Sequence, residues 1–159
     1  MIGTVEDAFV AALGSVATFP VKWPNDPWPD GISTSDGNMP IDENGFPAPA
    51  IEAELISGRD ETLPIGKNEG GMRTHMLPGI VRFYLSVGQG TGRSAINAEA
   101  GALLAAFDRV TLIDNQADGE RLVTVDPRVD DDAASYEEGN RYVRTVTVPW
   151  SYIYRTVQK

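Results

Sequence analysis

The sequence predicts an α+β domain: a single mostly antiparallel sheet with two helices packed on one face and long loops. Three observations predict it. Several segments alternate apolar and polar residues as half-buried strands do, while two others repeat their apolar residues at helical spacing. The order of elements is helix, long arm, strand, large loop, strand, helix, short strands, long strand, without the alternating βαβ units of a parallel sheet. At 159 residues the chain fits one domain, residues 1–159, and a domain of that size buries roughly 70% of its unfolded surface.

The first helix is expected over residues 4–14. Thr4 is placed to cap it, Asp7 stands at the capping-box position, Gly14 marks the exit, and Val5, Ala8, Phe9, Ala12 and Leu13 share a face. A brief extended piece follows at Pro20–Trp23. Residues 20–47 hold six of the eleven prolines, so this stretch reads as an extended arm or wrapped loop, long enough to dock on a neighbour. Ala50–Ile56 alternates Ile51, Ala53 and Leu55 against Glu52 and Glu54, a half-buried strand. The polar, glycine-rich stretch 57–78 reads as a flexible hairpin loop before a second strand at Gly79–Val87. After the turn at Gly88–Gly92 comes the second helix. Ser94 is the expected cap, and Ile96, Ala100, Leu103, Leu104 and Phe107 form its apolar stripe. Val110–Ile113 and Arg121–Val125 make a short strand pair, and an acidic loop at 126–140 precedes the last strand, Arg141–Thr156. Pro149 implies that this strand is an edge or carries a bulge.

Composition narrows the function classes. Thirteen basic against 23 acidic residues give a net charge of −10, which disfavours generic phosphate-backbone binding. No cysteine is present, so disulfides and thiolate metal sites are out. The N-terminal MIGTVEDAFV lacks the basic start of a signal peptide. No apolar run approaches the roughly 18–20 residues that span a bilayer, and a soluble protein without membrane contact is expected.

Four motifs suggest chemistry and each falls short. Gly88–Ser94 lies between strand and helix, where phosphates bind. It has three residues rather than four between the Walker-type glycines, and Arg93 stands where a lysine belongs. The turn from Asp114 copies a calcium loop at Asp118 and Gly119, but Gln116 and Val125 occupy ligand positions. Asp130, Asp131 and Asp132 read as a solvated run, and no aromatic platform makes the acidic loop a sugar cleft. The single histidine, His75, would need an orienting carboxylate and a nucleophile for a triad; nothing nearby specifies that arrangement, and there is no cysteine nucleophile. No catalytic residue, cofactor or metal is therefore assigned.

The last strand carries Tyr142, Trp150, Tyr152 and Tyr154 on one parity, a stripe that suits either a core or an interface. The candidate interface residues are Trp23 and Trp28 in the arm, Arg59, Lys67, Arg73 and His75 in the 57–78 loop, and Trp150.

Four stretches carry a resemblance over nearly the whole chain: the first helix leading to Val21-Lys-Trp-Pro-Asn25; the strand ending Glu54-Leu55-Ile56; Gly79–Val87 with Gly90-Thr91-Gly92 and the helix to Phe107; and Tyr142–Tyr152. In this order they resemble phage tail terminator and related head–tail connector proteins of long-tailed bacteriophages and gene transfer agents. The long stretch Asp30–Pro47 departs from the pattern. The resemblance implies a non-enzymatic virion protein that caps the tail tube at its head-proximal end, stops its polymerisation as a hexameric ring, and joins tail to head. The implied partners are further copies of the chain, the major tail tube protein and a head-side connector or stopper, with DNA passing through unbound. Assembly is expected in the host cytoplasm, with the mature protein in the virion. Such a ring subunit needs an open sheet edge, protruding loops and an arm, and no active site. A stopper-like neck or tail-completion protein is the alternative, and a small-molecule-binding or hydrolytic domain is the rival from a different class.

Overall fold

The computed structural model describes residues 2–35, 38–63, 71–91, 93–130, 136–138 and 140–157. Its elements are α1 (Ile2–Leu13), β1 (Val21–Lys22), β2 (Ala50–Ser57), β3 (Glu61–Thr62), β4 (Met72–Gly88), α2 (Ser94–Ala106), β5 (Thr111–Asn115), β6 (Glu120–Thr124), β7 (Arg128–Val129), β8 (Tyr136–Glu138) and β9 (Arg141–Val157). The fold is α+β: two helices and one nine-stranded sheet, antiparallel at every pairing except β1 with β2.

The spine of the sheet is the β4–β9 pair, antiparallel from Met72↔Val157 to Gly88↔Arg141 without a shift in register. The main order is β1-β2-β4-β9-β6-β5, with β7 and β8 also on β9 and β3 on β4. Most of the described residues within 57–78 are therefore strand rather than loop, since β4 begins at Met72 and β3 pairs with its first half. Residues 64–70, where Lys67 falls, lie outside the described residues.

β9 is interior and unbulged, contrary to what Pro149 implies. The reason is local. The Pro149 carbonyl accepts from the Val125 amide at 2.9 Å, and in an antiparallel ladder a residue's N and C=O face the same neighbour. The missing amide thus points at the break between β6 and β7, where no ladder bond is lost. Pro78 in β4 is accommodated the same way, its carbonyl accepting from Gly58 just past the end of β2.

Alternation along the spine makes one face apolar. Val81, Phe83, Leu85 and Val87 join Val146, Val148, Trp150 and Tyr152 there, and both helices close over them. α1 starts at Ile2, so Thr4 lies inside it rather than capping it, and buries Val5, Phe9 and Leu13 at four-residue spacing. α2 has Arg93 at its N-cap with no side-chain cap bond, and Ser94 is its first helical residue. Phe107 stacks on Phe83 at 5.8 Å and meets Phe9 at 5.4 Å, tying both helices to the sheet. Leu104 is only half-buried, while Glu99 is buried beside Ala100 and Leu103. The apolar stripe is rotated accordingly: at about 100° per residue, Leu104 lies about 80° away from Ile96, at the margin of the buried face.

Glu99 has a structural task that the apolar periodicity concealed. Its carboxylate accepts from the Thr18 amide at 2.7 Å, the Thr18 hydroxyl at 2.6 Å and the Phe19 amide at 3.2 Å. These donors belong to the turn between α1 and β1, and the charge is satisfied by them.

Candidate functional site

The proline-rich arm does not extend from the domain. It folds back over the second, polar face of the sheet, and isolated bridges Thr34↔Pro40 and Ile41↔Pro47 give it a hairpin-like course of its own. Its anchor is Arg141, at the start of β9. The guanidinium donates through Nη1 to the Ala48 carbonyl at 2.8 Å and Ser86 Oγ at 2.9 Å, and through Nη2 to the Pro40 carbonyl. Burial lowers the Arg141 pKa from its ordinary value, and the field of Glu52 partly opposes that shift. Between arm and sheet lies a cavity of about 390 Å³, bordered by Met39, Ile41 and Pro47 on the arm and by Glu52, Arg141 and Val143 on the sheet. On its wall Tyr84 donates its hydroxyl to Glu54 at 2.9 Å. Burial first, and then that carboxylate, raise the phenol's pKa. A second cavity of about 570 Å³ lies on the other side of the arm, against Phe19, Pro20 and Pro49.

The far end of the spine holds a different cluster. The His75 ring stacks on Tyr154 at 5.1 Å and 14°. His75 Nε2 lies 2.9 Å from Thr156 Oγ1, and Nδ1 lies 3.5 Å from Asp60 Oδ2. Tyr154 donates to that same Asp60 oxygen at 2.6 Å, and Tyr152, stacked behind it, donates to Glu120 at 3.0 Å. Burial, followed by these carboxylate bonds, pushes both tyrosines up to about 12. The order Asp60, His75, Thr156 copies a triad in connectivity. In strength it does not, because Asp60 is held more closely by Tyr154 than by the imidazole it would orient. The cluster instead clamps β3 and its flanking residues to the spine.

The sequence-derived interface residues fare unequally. Trp23 is buried edge-on against Phe83 at 6.4 Å. Trp28 is buried inside the arm, donating Nε1–H to the Asn38 carbonyl under the Lys22 ammonium. Trp150 is 2% exposed and lies across Gly79, where an added Cβ would sit 2.2 Å from its ring. All three are buried within one chain rather than presented on its surface: Trp23 and Trp150 belong to the cluster beneath the helices, and Trp28 is enclosed by the arm. Arg59 and Arg73 are exposed, and His75 is half-buried. Among the described residues, the exposed large apolar side chains are instead Phe46 (67%) on the arm, the cross-strand pair Met72 and Val157 (42% and 67%) at the end of the spine, Val10 and Val125. Val10 falls off the apolar stripe of α1, and the others lie at the end of an element or beside a turn.

The motifs of the turns are used locally. Asp118 is engaged by the Asn115 side-chain amide at 2.6 Å, and Gly119 takes a positive φ of 68°. Asp130 accepts from the Thr147 hydroxyl at 2.7 Å, while Asp131 and Asp132 lie outside the described residues. Among the described residues no three His, Asp or Glu side chains converge to hold a cation, and no helix is long and apolar enough to cross a membrane. No protein-family model matches the sequence, and no curated protein matches it.

Proposed function

We propose that this chain is a tail terminator of a long-tailed phage particle, a structural subunit that caps the tail tube at its head-proximal end as a hexameric ring and joins the tail to the head connector. The observation that carries the reading is the course of the spine. β4 and β9 run on beyond Leu77 and Tyr154, their last core residues, and end in the exposed apolar pair Met72 and Val157. An exposed apolar pair at the end of the spine suits a contact with another subunit. The edge strands β1 and β5 at either end of the main sheet path offer further pairing surfaces for a ring. A net charge of −10 suits a lumen through which DNA passes without being held.

The test is genetic and structural together. Deleting the gene should leave tails of uncontrolled length that do not join heads, and the purified protein should reach six copies alone or on tube ends. A Met72→Asp, Val157→Asp double variant should keep its monomer melting temperature and lose capping. Tails of normal length in the deletion strain, seen by electron microscopy, would sink the reading; a stopper-like neck protein would give that result.

A further inference from the structure

The cavity beneath the arm is independent of tube capping, and its chemistry is specific. Of the two charged residues that line it, the Arg141 side chain is hydrogen-bonded and that of Glu52, among the described residues, is not. Arg141 spends both Nη1 donors and one Nη2 donor on Ala48, Ser86 and Pro40. The Tyr84 hydroxyl is spent on Glu54, and Glu54 also faces Arg82 at 4.0 Å. Glu52 borders the cavity, and among the described residues no hydrogen-bond donor reaches its carboxylate. The arm wall opposite is apolar at Met39, Ile41 and Pro47, and Val143 adds an apolar side chain to the sheet wall. The volume of about 390 Å³ falls within the roughly 300–1,000 Å³ of small-ligand sites, which typically pair an apolar lining with few convergent polar groups.

We propose that this cavity binds a primary ammonium group carried on an apolar chain, with the ammonium on Glu52 and the chain against Ile41 and Val143. The unused capacity of the site is an anionic acceptor, so the matching ligand is a donor with positive charge. An alcohol would supply a hydrogen bond without answering the charge, and a carboxylate would be repelled by Glu52 with three of the five Arg141 N–H donors already spent. The net charge of −10 biases a cleft of this kind toward cations. The same chemistry is offered by a free aliphatic amine and by the lysine side chain of another protein.

The experiment is titration of the full chain with hexylammonium, hexanol and hexanoate, followed by calorimetry and by amide shifts at Ser86 and Val143. Hexylammonium should bind in the millimolar range or tighter and shift those amides, and the other two should bind at least about tenfold more weakly. Glu52→Gln, at a half-exposed position, should keep the wild-type melting temperature and lose about tenfold in hexylammonium affinity. Equal binding of hexanol, tighter binding of hexanoate, or an affinity unchanged in Glu52→Gln would each overturn the proposal. An Nα-acetyl-lysine N-methylamide probe separates the sources. Binding tighter than hexylammonium points to a lysine side chain, whereas exclusion of the blocked lysine with retention of hexylammonium points to a free amine.

Discussion

The two faces of the sheet are built on different principles. The helix-covered face is closed by aliphatic and aromatic side chains, with Phe9, Phe107, Phe83 and Trp23 in ring contact. The arm-covered face is closed by backbone: the arm's carbonyls meet one buried guanidinium, and cavities of about 390 and 570 Å³ flank it. Apolar burial is additive in area and needs no exact partner, so the first face packs densely. A buried cation must find acceptors in fixed positions, and desolvation offsets much of what those bonds contribute. The second face is thus ordered at small net stabilisation, which suits a surface that accepts a ligand or a neighbour.

This contrast can be broken most strongly on the helix side. Leu103→Ala should cost about 2–5 kcal/mol through lost burial and the cavity left behind. Leu103→Asp should prevent folding by circular dichroism. Leu104→Ala, at the half-buried margin, should cost clearly less, and equal losses for the two would show that the stripe has been assigned to the wrong face. Glu99→Ala should cost roughly 2–4 kcal/mol in denaturant melts, because the Thr18 and Phe19 amides lose a charged acceptor.

A smaller effect is set by Tyr152 and Tyr154, whose pKa values are pushed up to about 12. The folded state holds these phenolic protons more tightly than the unfolded chain does. Their contribution is therefore complete below pH ~10, the unfolded value, and is lost as pH rises toward 12. Stability should fall by about 2 kcal/mol per tyrosine across that window, and Tyr154→Phe should remove about half of the fall. A stability curve level from pH ~10 to ~12 would remove the pair from the account.

The smallest global effect belongs to the arm face. Arg141→Met should lower overall stability by only about 1 kcal/mol, since relieved desolvation offsets three lost bonds. Limited proteolysis within residues 20–47 should nevertheless speed up. A loss as large as that of Leu103→Ala would show that the two faces are equivalent after all.

Much of this architecture was legible in the residues. Alternation placed β2 and the core half of β4, helical spacing located both helices, and the Asp-Gly turn between β5 and β6 was recognisable from its own residues. These features depend on near neighbours in sequence, where side-chain period and turn chemistry act directly. Legibility failed where a distant segment set the outcome. Pro149 is tolerated in an interior strand because of where Val125 lies. Trp28 is buried because Asn38 and Lys22 return to it.

The sequence by itself determined the α+β class, the apolar face of the spine and the acidity of the surface, because local period and composition suffice for each. Only the tertiary structure decided which tryptophans are core, that Glu99 caps a turn 80 residues away, and that Glu52 and Arg141 face one cavity. Each of these brings together residues far apart in the chain, and their pairing depends on strand register and loop course. No periodicity within a single segment encodes that.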